Sequence, residues 1–174
     1  MRVYTVLEIK KMEEKNMSNL LVHPIGKIHN NEEGTFIELE KNYISAIKAL
    51  DGFSHINVLW WFSDFDDEKS RSTLQTEKPY KNAPDVMGIF ATRSPLRPNP
   101  IALTPVNVLH IDYEKGIIHI AFIDANDNTP VLDIKPYTPS LDRVETPSVP
   151  EWCRHWPKSS EESAYFAWEN EFNF

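Results

Sequence analysis

The distribution of proline limits what the second half of this chain can fold into. The chain has 13 prolines against 5 glycines, and twelve of the 13 prolines lie between Pro79 and Pro157. Proline fixes φ, lacks a backbone N–H and biases the preceding residue toward extended conformations. The prolines at positions 95, 98 and 100 therefore predict a stiff loop that cannot be helical.

The scarcity of glycine excludes the common nucleotide-binding motifs. No G-x-G occurs in the 174 residues, so the dinucleotide fingerprint is missing, and no Walker loop is present. A nucleotide cofactor would therefore have to be held in some other way.

Short apolar stretches separated by turn residues predict a mainly β fold. Strands are expected over residues 20–28, 34–39, 53–62, 86–92, 101–113, 117–124 and 131–134. Residues 43–50 are expected to form one short helix or a pair of turns. The stretch 53–62 is apolar on both faces, which is typical of a strand inside a sheet or barrel wall. Pro105 predicts an edge or a bulge in its strand. With no alternation of strands and helices, the sequence indicates a small antiparallel or mixed β-barrel with few short helices.

The chain is expected to form one domain with an extension at each end. We expect an N-terminal extension over residues 1–19, a barrel domain over 20–145 and a C-terminal helical tail over 146–174, with a long surface loop over 69–86. Ser159 and Glu162 match a capping box. Tyr165, Trp168 and Phe172 follow at helical spacing, so a C-terminal helix is expected to pack them on the barrel or on a second subunit.

Charge and cysteine content narrow the class of protein. The net charge is −8, which disfavours general binding to nucleic acid. The single cysteine, Cys153, permits no internal disulfide, and no stretch resembles a signal peptide or membrane span, so a soluble cytoplasmic protein is expected. Cys153 and His155 form a C-x-H pair without a second pair at zinc spacing, so no metal site is expected.

One window carries the opposite charge. Residues 78–105 contain Lys78, Lys81, Arg93 and Arg97 against Asp85, a local charge of +3. Two arginines on a stiff loop offer planar, permanently charged donors for phosphate or carboxylate. The alternative is a rigid structural turn whose arginines pair with the acidic loops.

A second segment, residues 124–142, combines a turn with an alternating polar pattern. Asp127 to Pro130 predicts the turn. Asp133, Lys135 and Tyr137 alternate and can share one face of an extended segment. The alternative is an ordinary surface pair of Asp133 and Lys135, which contributes little to stability.

Three blocks of this sequence, in order and spacing, resemble the TsaA-like family (TrmO, or YaeB-like). They are GFSHINVLWWF at 52–62, GIFATRSPLRPNPIALTPV at 88–106 and NTPVLDIKPYTPSLD at 128–142. The resemblance covers roughly residues 20–142. It implies a small β-barrel that works as a homodimer, binds S-adenosylmethionine and transfers its methyl group. The activity it implies is N6-methylation of threonylcarbamoyladenosine in the tRNA anticodon loop.

The same resemblance implies a set of site residues. Implied cofactor contacts are Arg93, Leu103, Ser63, Asp64, Asp127, Asn128, Thr129 and Pro130. Implied catalytic or dimer-interface residues are Arg97, Asn99, Asp133, Lys135 and Tyr137. For an amide-like acceptor nitrogen, Asp133 is the candidate base.

Departures from the family pattern leave two alternatives open. D-N-T-P replaces D-G-T-P, and Asn tolerates the left-handed conformation that Gly supplies. The first two strands are joined by HNNEEGTF instead of a basic insertion, and residues 140–174 carry a net charge of −4. The alternatives are a methyltransferase acting on a small molecule and a non-catalytic S-adenosylmethionine-binding module.

Overall fold

The computed structural model describes residues 20–174, so the predicted extension over 1–19 lies outside the described residues. Its strands are β1 (Gly26–Asn31), β2 (Gly34–Leu39), β3 (His55–Trp61), β4 (Gln75–Glu77), β5 (Val86–Gly88), β6 (Ile101–Asp112), β7 (Ile117–Ile120) and β8 (Thr129–Pro136). Its α-helices are α1 (Glu68–Arg71), α2 (Pro139–Asp142) and α3 (Ser160–Ser163). 3-10 helices span Lys41–Ile47, Ser63–Phe65, Ile89–Ala91, Glu151–Cys153 and Trp168–Asn170.

The strands β1-β2-β7-β6-β3-β8 close into a barrel in that order, and every neighbouring pair is antiparallel. The strands β4 and β5 form a separate two-stranded sheet. This architecture confirms the predicted mainly β fold with a small antiparallel barrel and few short helices. Across residues 20–174, no helix has the length and apolar character needed to cross a membrane.

Alternating residues of the strands fill the barrel. The inward positions hold branched aliphatic side chains, and these are buried: Ile28, Ile37, Ile56, Val58, Ile118, Ile120 and Val131. Such β-branched residues pack well on a pleated surface. The interior is thus a packed core, and the outward positions of the same strands are left for other roles.

Pro105 lies in the part of β6 that pairs with β3 but not with β7. It lies opposite Asn57 in the ladder with β3, whereas the pairing with β7 covers Val108 to Asp112 and shifts register between Val108 and His110. The missing N–H of Pro105 therefore interrupts no bond to β7, as expected for proline at a local edge.

Several predicted elements differ from the structure. The short helix or pair of turns predicted over 43–50 is a 3-10 helix over Lys41–Ile47, and the strand predicted over 117–124 ends at Ile120. The first strand begins at Gly26, and residues 20–25 are not a strand. The predicted loop over 69–86 contains helix α1 and strand β4, because Asp67 caps the helix by accepting from the Ser70 N–H at 3.0 Å. The predicted strand over 86–92 ends at Gly88 and turns into the 3-10 segment Ile89–Ala91.

The tail begins its helix where the capping box predicts, but the helix is short. The Ser159 hydroxyl accepts from the Glu162 N–H at 3.2 Å, and α3 then ends at Ser163. The Trp168 indole donates to the Ser163 carbonyl at 3.2 Å. That bond satisfies a carbonyl at the end of the helix, so aromatic packing overrides helix continuation. Tyr165, predicted on the packed face, is 92% exposed.

Candidate functional site

A cavity of about 720 Å³ lies where β3 ends and β6 begins. The stiff loop after Ala91 forms one of its sides. Its wall consists of Trp60, Trp61, Phe62, Ser63, Asp64, Phe65, Phe90, Thr92, Arg93, Pro95, Arg97, Ile101, Ala102, Leu103, Thr104, Asp124, Ala125, Asn126 and Thr129. The volume is within the range of roughly 300–1,000 Å³ found for small-molecule sites.

Aromatic rings from the end of β3 make one wall of the cavity rigid. Trp60 is buried, and its indole N–H donates to the Thr104 hydroxyl at 3.1 Å. The rings of Trp60 and Phe62 lie 4.6 Å apart, edge to face. The indole of the neighbouring Trp61 donates to Asp66 at 3.1 Å. These contacts fix the ring orientations before any ligand binds.

The proline-rich loop holds two arginines by their contacts with backbone carbonyls. Arg93 donates from Nη1 to the Leu103 carbonyl at 3.1 Å. Arg97 donates from Nη2 to the carbonyls of Ile89 and Thr92 at 3.3 and 3.1 Å. Arg97 therefore braces the loop, whereas Arg93 is exposed and keeps further N–H donors on the cavity side.

Among the described residues, 20–174, no carboxylate forms an ion pair with Arg93 or Arg97. Within residues 20–174, the arginines that form ion pairs are Arg71, with Asp66, and Arg154, with Glu151. The alternative of a structural turn with salt-bridged arginines is therefore not what the described part of the chain shows. The loop presents positive charge to the cavity.

Polar and acidic groups face the loop from the other side. Asp64, in the 3-10 turn after β3, accepts from the Asn126 side-chain amide at 2.8 Å. Asp124 is an exposed carboxylate on the same wall. The cavity thus combines cationic, acidic and aromatic surfaces within one space.

The D-N-T-P turn lies next to the cavity and adopts the conformation expected for it. Asn128 has φ of +66°, the left-handed conformation. Asp127 accepts from the Asn30 N–H at 3.1 Å and from the Asn128 amide at 2.6 Å, which ties the turn to β1. Thr129 is buried on the cavity wall, whereas Asp127, Asn128 and Pro130 are not part of that wall.

The remaining residues implied by the family resemblance lie away from the cavity wall. Asn99 is in the proline loop, where its carbonyl accepts from the Ile101 N–H at 2.7 Å. Asp133, Lys135 and Tyr137 follow alternately along and just beyond β8, and Lys135 Nζ lies 2.6 Å from Asp133 Oδ2. Asp133 pairs in register with Leu59, which itself pairs with Leu103. Asp133 is therefore separated from Leu103 of the cavity wall by the width of β3, a backbone distance on the order of 10 Å.

Sequence reasoning did not assign several residues of the wall. They are Trp60, Trp61, Phe62, Phe65, Phe90, Asp124 and Asn126. The tryptophans and Phe62 lie in a stretch that is apolar on both strand faces, which could have indicated an aromatic cavity wall. A buried ring, however, is more often part of a core. No sequence pattern pointed to Phe90, which is 80% exposed at the cavity.

The described residues contain no cluster of side chains suited to a metal site. Across residues 20–174, no three His, Cys, Asp or Glu side chains come together in an arrangement that could hold a metal ion. Cys153 is a buried free thiol, and burial raises its pKa above the ordinary value.

Comparison with known proteins identifies relatives of this architecture. An Archaeoglobus fulgidus S-adenosyl-L-methionine-binding protein is 36% identical over 108 residues, which are 62% of this chain and 72% of that protein. An Escherichia coli tRNA (adenine(37)-N6)-methyltransferase is 38% identical over 110 residues, which are 62% of this chain and 46% of that enzyme. This chain therefore matches less than half of the length of the E. coli enzyme.

Solved structures show the same fold. A crystal structure of TrmO from Pseudomonas aeruginosa aligns with a TM-score of 0.55 and 26% identity, over 75% of this chain and 61% of that one. A second TrmO structure aligns with a TM-score of 0.59 and 28% identity, over 75% and 63% of the two chains. The sequence model of the tRNA-methyltransferase O N-terminal domain matches residues 16–143. Because that match covers most of the chain and the barrel is shared, this chain belongs to the tRNA-methyltransferase O family.

Proposed function

We propose that this protein is an S-adenosylmethionine-dependent methyltransferase that methylates N6 of threonylcarbamoyladenosine in the tRNA anticodon loop. The observation that carries the proposal is the cavity between the aromatic end of β3 and the arginine loop. Family membership supports the cofactor and the reaction type. The E. coli relative supports the tRNA acceptor.

The cavity wall has the groups that this cofactor requires. Arg93 keeps guanidinium donors for the methionine carboxylate. The aromatic wall and neighbouring carbonyl oxygens suit a sulfonium cation better than an arginine would. Asp64, Asp124 and Asn126 provide polar partners for amino and hydroxyl groups. This donor set, in a space of about 720 Å³, fits S-adenosylmethionine.

The contribution of the protein to the reaction is mainly positioning. Bound S-adenosylmethionine supplies a methyl group on an activated sulfonium leaving group. Arg97 keeps the loop rigid, Arg93 orients the bound carboxylate, and Thr129 contributes to the cavity wall. Holding reactants in a near-attack geometry supplies a large part of a rate enhancement of this kind.

A proton must leave the acceptor nitrogen, and Asp133 remains the proposed base. Asp133 accepts from Lys135 Nζ at 2.6 Å and is off the cavity wall. The role therefore requires an acceptor that extends over the outer face of β3, or a second copy that brings its β8 to this cavity. We assign Lys135, Tyr137 and Asn99 to the same acceptor-side or interface surface.

We propose a homodimer, because apolar side chains are exposed around the cavity. Phe90 is 80% exposed and Leu103 is 48% exposed. Exposed apolar patches of this kind mark interaction sites. Sedimentation equilibrium is expected to give twice the chain mass of 20.2 kDa; a monomer at tens of micromolar would exclude this assembly.

We also propose a cytoplasmic location, where tRNA is modified and the thiol of Cys153 stays reduced.

A small-molecule acceptor is the second candidate, favoured by the charge near the first hairpin. Only Glu32 and Glu33 separate β1 from β2, and the tail is acidic. Neither surface attracts phosphates.

Nucleoside mass spectrometry of tRNA from cells with and without this protein separates the two acceptors. Loss of N6-methylated threonylcarbamoyladenosine in the deletion supports the tRNA substrate. An unchanged nucleoside profile, with cofactor binding intact, would leave the small acceptor as the function.

Substitution of Arg93 tests the cofactor site. Arg93→Ala is expected to raise the Kd for S-adenosylmethionine by roughly tenfold to a hundredfold, because a charge-assisted hydrogen-bond pair is lost. Isothermal titration calorimetry measures this. Arg143→Ala, another exposed arginine that is not on the cavity wall, is the matched control and should bind as the parent does. Unchanged binding by Arg93→Ala would exclude its cofactor role.

A further inference from the structure

The C-terminal tail forms its own aromatic cluster outside the family match. The match ends at residue 143, whereas the cluster uses residues from the last part of the chain. We call these rings the tail cluster: Trp152, Trp156, Phe166, Trp168 and Phe172. Successive ring centroids in it lie 4.9 to 6.0 Å apart. The tail is therefore a packed unit separate from the aliphatic barrel core.

One ring from outside the tail sits in this cluster. Tyr80 stacks on Trp152 at 5.5 Å with an interplanar angle of 14°, and it meets Trp156 edge-on at 4.9 Å. It also contacts Phe172 at 5.7 Å. A ring with three aromatic neighbours is strongly restricted in position. The tail thus fixes a residue of the segment between β4 and β5.

Backbone bonds join the same two segments. The Lys81 N–H donates to the Glu171 carbonyl at 2.9 Å, and the Asn173 N–H donates to the Pro79 carbonyl at 3.1 Å. The Asn173 side chain donates to the Lys78 carbonyl at 2.9 Å. Tyr80 and Phe172 form an isolated β-bridge. The end of the tail is therefore held beside residues 78–81 by backbone and side-chain hydrogen bonds.

The anchored segment leads directly to the arginine loop. Lys78 N–H donates to the Asp85 carbonyl at 2.8 Å, which closes the turn between β4 and β5. The Ile89 N–H continues that ladder by donating to the Leu74 carbonyl at 2.9 Å. Arg97 then bonds the Ile89 carbonyl at 3.3 Å. A continuous series of hydrogen bonds runs from the tail to the cavity wall.

The Tyr80 phenol is partly shielded from water within the tail cluster. Burial raises the pKa of this phenol above its ordinary value. Tyr80 therefore links the tail cluster to the Arg93 loop through the backbone hydrogen bonds of its segment.

We infer that Tyr80 is a positioning residue through which the tail cluster holds the Arg93 loop in its binding geometry. The inference rests on the proposed function of the cavity as a cofactor site. The tail, residues 146–174, is thereby an accessory element that this chain adds to the barrel domain of residues 20–145. The tail holds the loop through ring packing, so the phenol hydroxyl is secondary.

Two measurements on the full-length protein test this role. Tyr80→Ala is expected to raise the Kd for S-adenosylmethionine about tenfold, since small displacements of positioning groups are costly. In the cofactor-free protein, amide hydrogen exchange over residues 89–99 should become faster, while exchange in β1, β2 and β7 stays as in the parent. Tyr80→Phe keeps the ring and should restore both values to within about twofold.

Matched controls make each outcome decisive. Tyr165→Ala removes a tail tyrosine that is 92% exposed and lies outside the cluster, so it should change neither measurement. If Tyr80→Ala does not fold, Asn173→Ala removes only the bond to Lys78 and should shift exchange over 89–99 in the same direction by less. Parental affinity and parental exchange in Tyr80→Ala would overturn the inference. Absence of cofactor binding by the parent would instead overturn the proposed function, and the exchange result would remain interpretable.

Discussion

At the scale of single residues, Asn128 shows how far a local pattern can be interpreted. The replacement of Gly by Asn in D-N-T-P predicted that a left-handed turn could survive, and its φ of +66° confirms this. The sequence could not predict the two bonds that Asp127 makes to Asn30 and Asn128, because one of them joins positions 97 residues apart. Conformational preference is local, whereas partners are set by the fold.

Substitution of Asn128 tests the energetic cost of that conformation. Asn128→Val is expected to lower the free energy of unfolding by roughly 1–2 kcal/mol, because a β-branched residue is strained at positive φ. Asn128→Gly should stay within about 0.5 kcal/mol, since relief of strain offsets the lost amide bond. Urea unfolding measures both. Equal stability of the valine and glycine variants would show that the turn relaxes to another conformation.

The arginines illustrate what could not be predicted at this scale. The three prolines indicated a stiff loop, and the local positive charge indicated an anion-binding role for both arginines, with a structural turn as the alternative. The structure separates them, because Arg97 uses its guanidinium on the carbonyls of Ile89 and Thr92 whereas Arg93 makes one such bond. Which arginine braces and which remains available depends on where the carbonyls of a 3-10 turn lie, and no residue pattern encodes that position.

At the scale of elements, alternating apolar patterns were reliable where both strand faces are constrained. The predicted strand 34–39 coincides with β2, and 53–62 contains β3. The first strand starts later than predicted, at Gly26, because its ladders with β2 and β8 begin there. Before it, Ile25 still donates its N–H to the Val131 carbonyl at 2.8 Å. The tail helix ends early because its aromatic residues pack with Tyr80 and with each other. Tertiary contacts decided both boundaries.

Gly26 provides a test at the start of β1. A Cβ at this position would overlap the Glu38 carbonyl oxygen and lie 2.9 Å from Leu39 Cα, both of them backbone atoms of β2. Gly26→Ala is therefore expected to lower the free energy of unfolding by roughly 1–3 kcal/mol, as for overpacked sites. Thermal unfolding followed by far-UV circular dichroism measures the change. Gly88→Ala, where a Cβ meets no atom within 4 Å, is the control and should be much milder. Similar losses in both variants would argue against close packing of β1 on β2.

At the scale of the whole molecule, the barrel and the tail are stabilised by different physics. The barrel depends on aliphatic burial, which is insensitive to pH. The tail also contains a polar cluster centred on Glu171. Its Oε2 accepts from the Trp156 indole N–H at 3.1 Å, and its Oε1 lies 3.0 Å from His155 Nε2. The bond to His155, and next that to Trp156, lowers the pKa of the Glu171 carboxyl below its ordinary value of 4.5. The two parts should therefore respond differently to acid.

Acid is expected to loosen the tail before the barrel. Because the folded-state pKa of Glu171 is lowered, its contribution is complete above pH 4.5 and is lost as the pH falls through the lowered value. Near-UV circular dichroism of the aromatic residues should change in this range while far-UV circular dichroism of the strands persists. Glu171→Gln, which keeps an acceptor but no charge, should weaken this response. A single coincident transition in the parent and in Glu171→Gln would contradict this prediction.

The five tryptophans of this chain fall into two groups. Trp60 and Trp61 line the cavity, and Trp152, Trp156 and Trp168 belong to the tail. The protein thus carries two sets of intrinsic fluorophores, one at the cavity and one in the C-terminal tail. If Trp60 and Trp61 are replaced by phenylalanine, the remaining tryptophan emission comes from the tail alone. If the three tail tryptophans are replaced instead, the emission comes from the cavity alone. A change in the tail emission when cofactor is added is then a direct optical measure of how strongly the tail and the cavity are coupled.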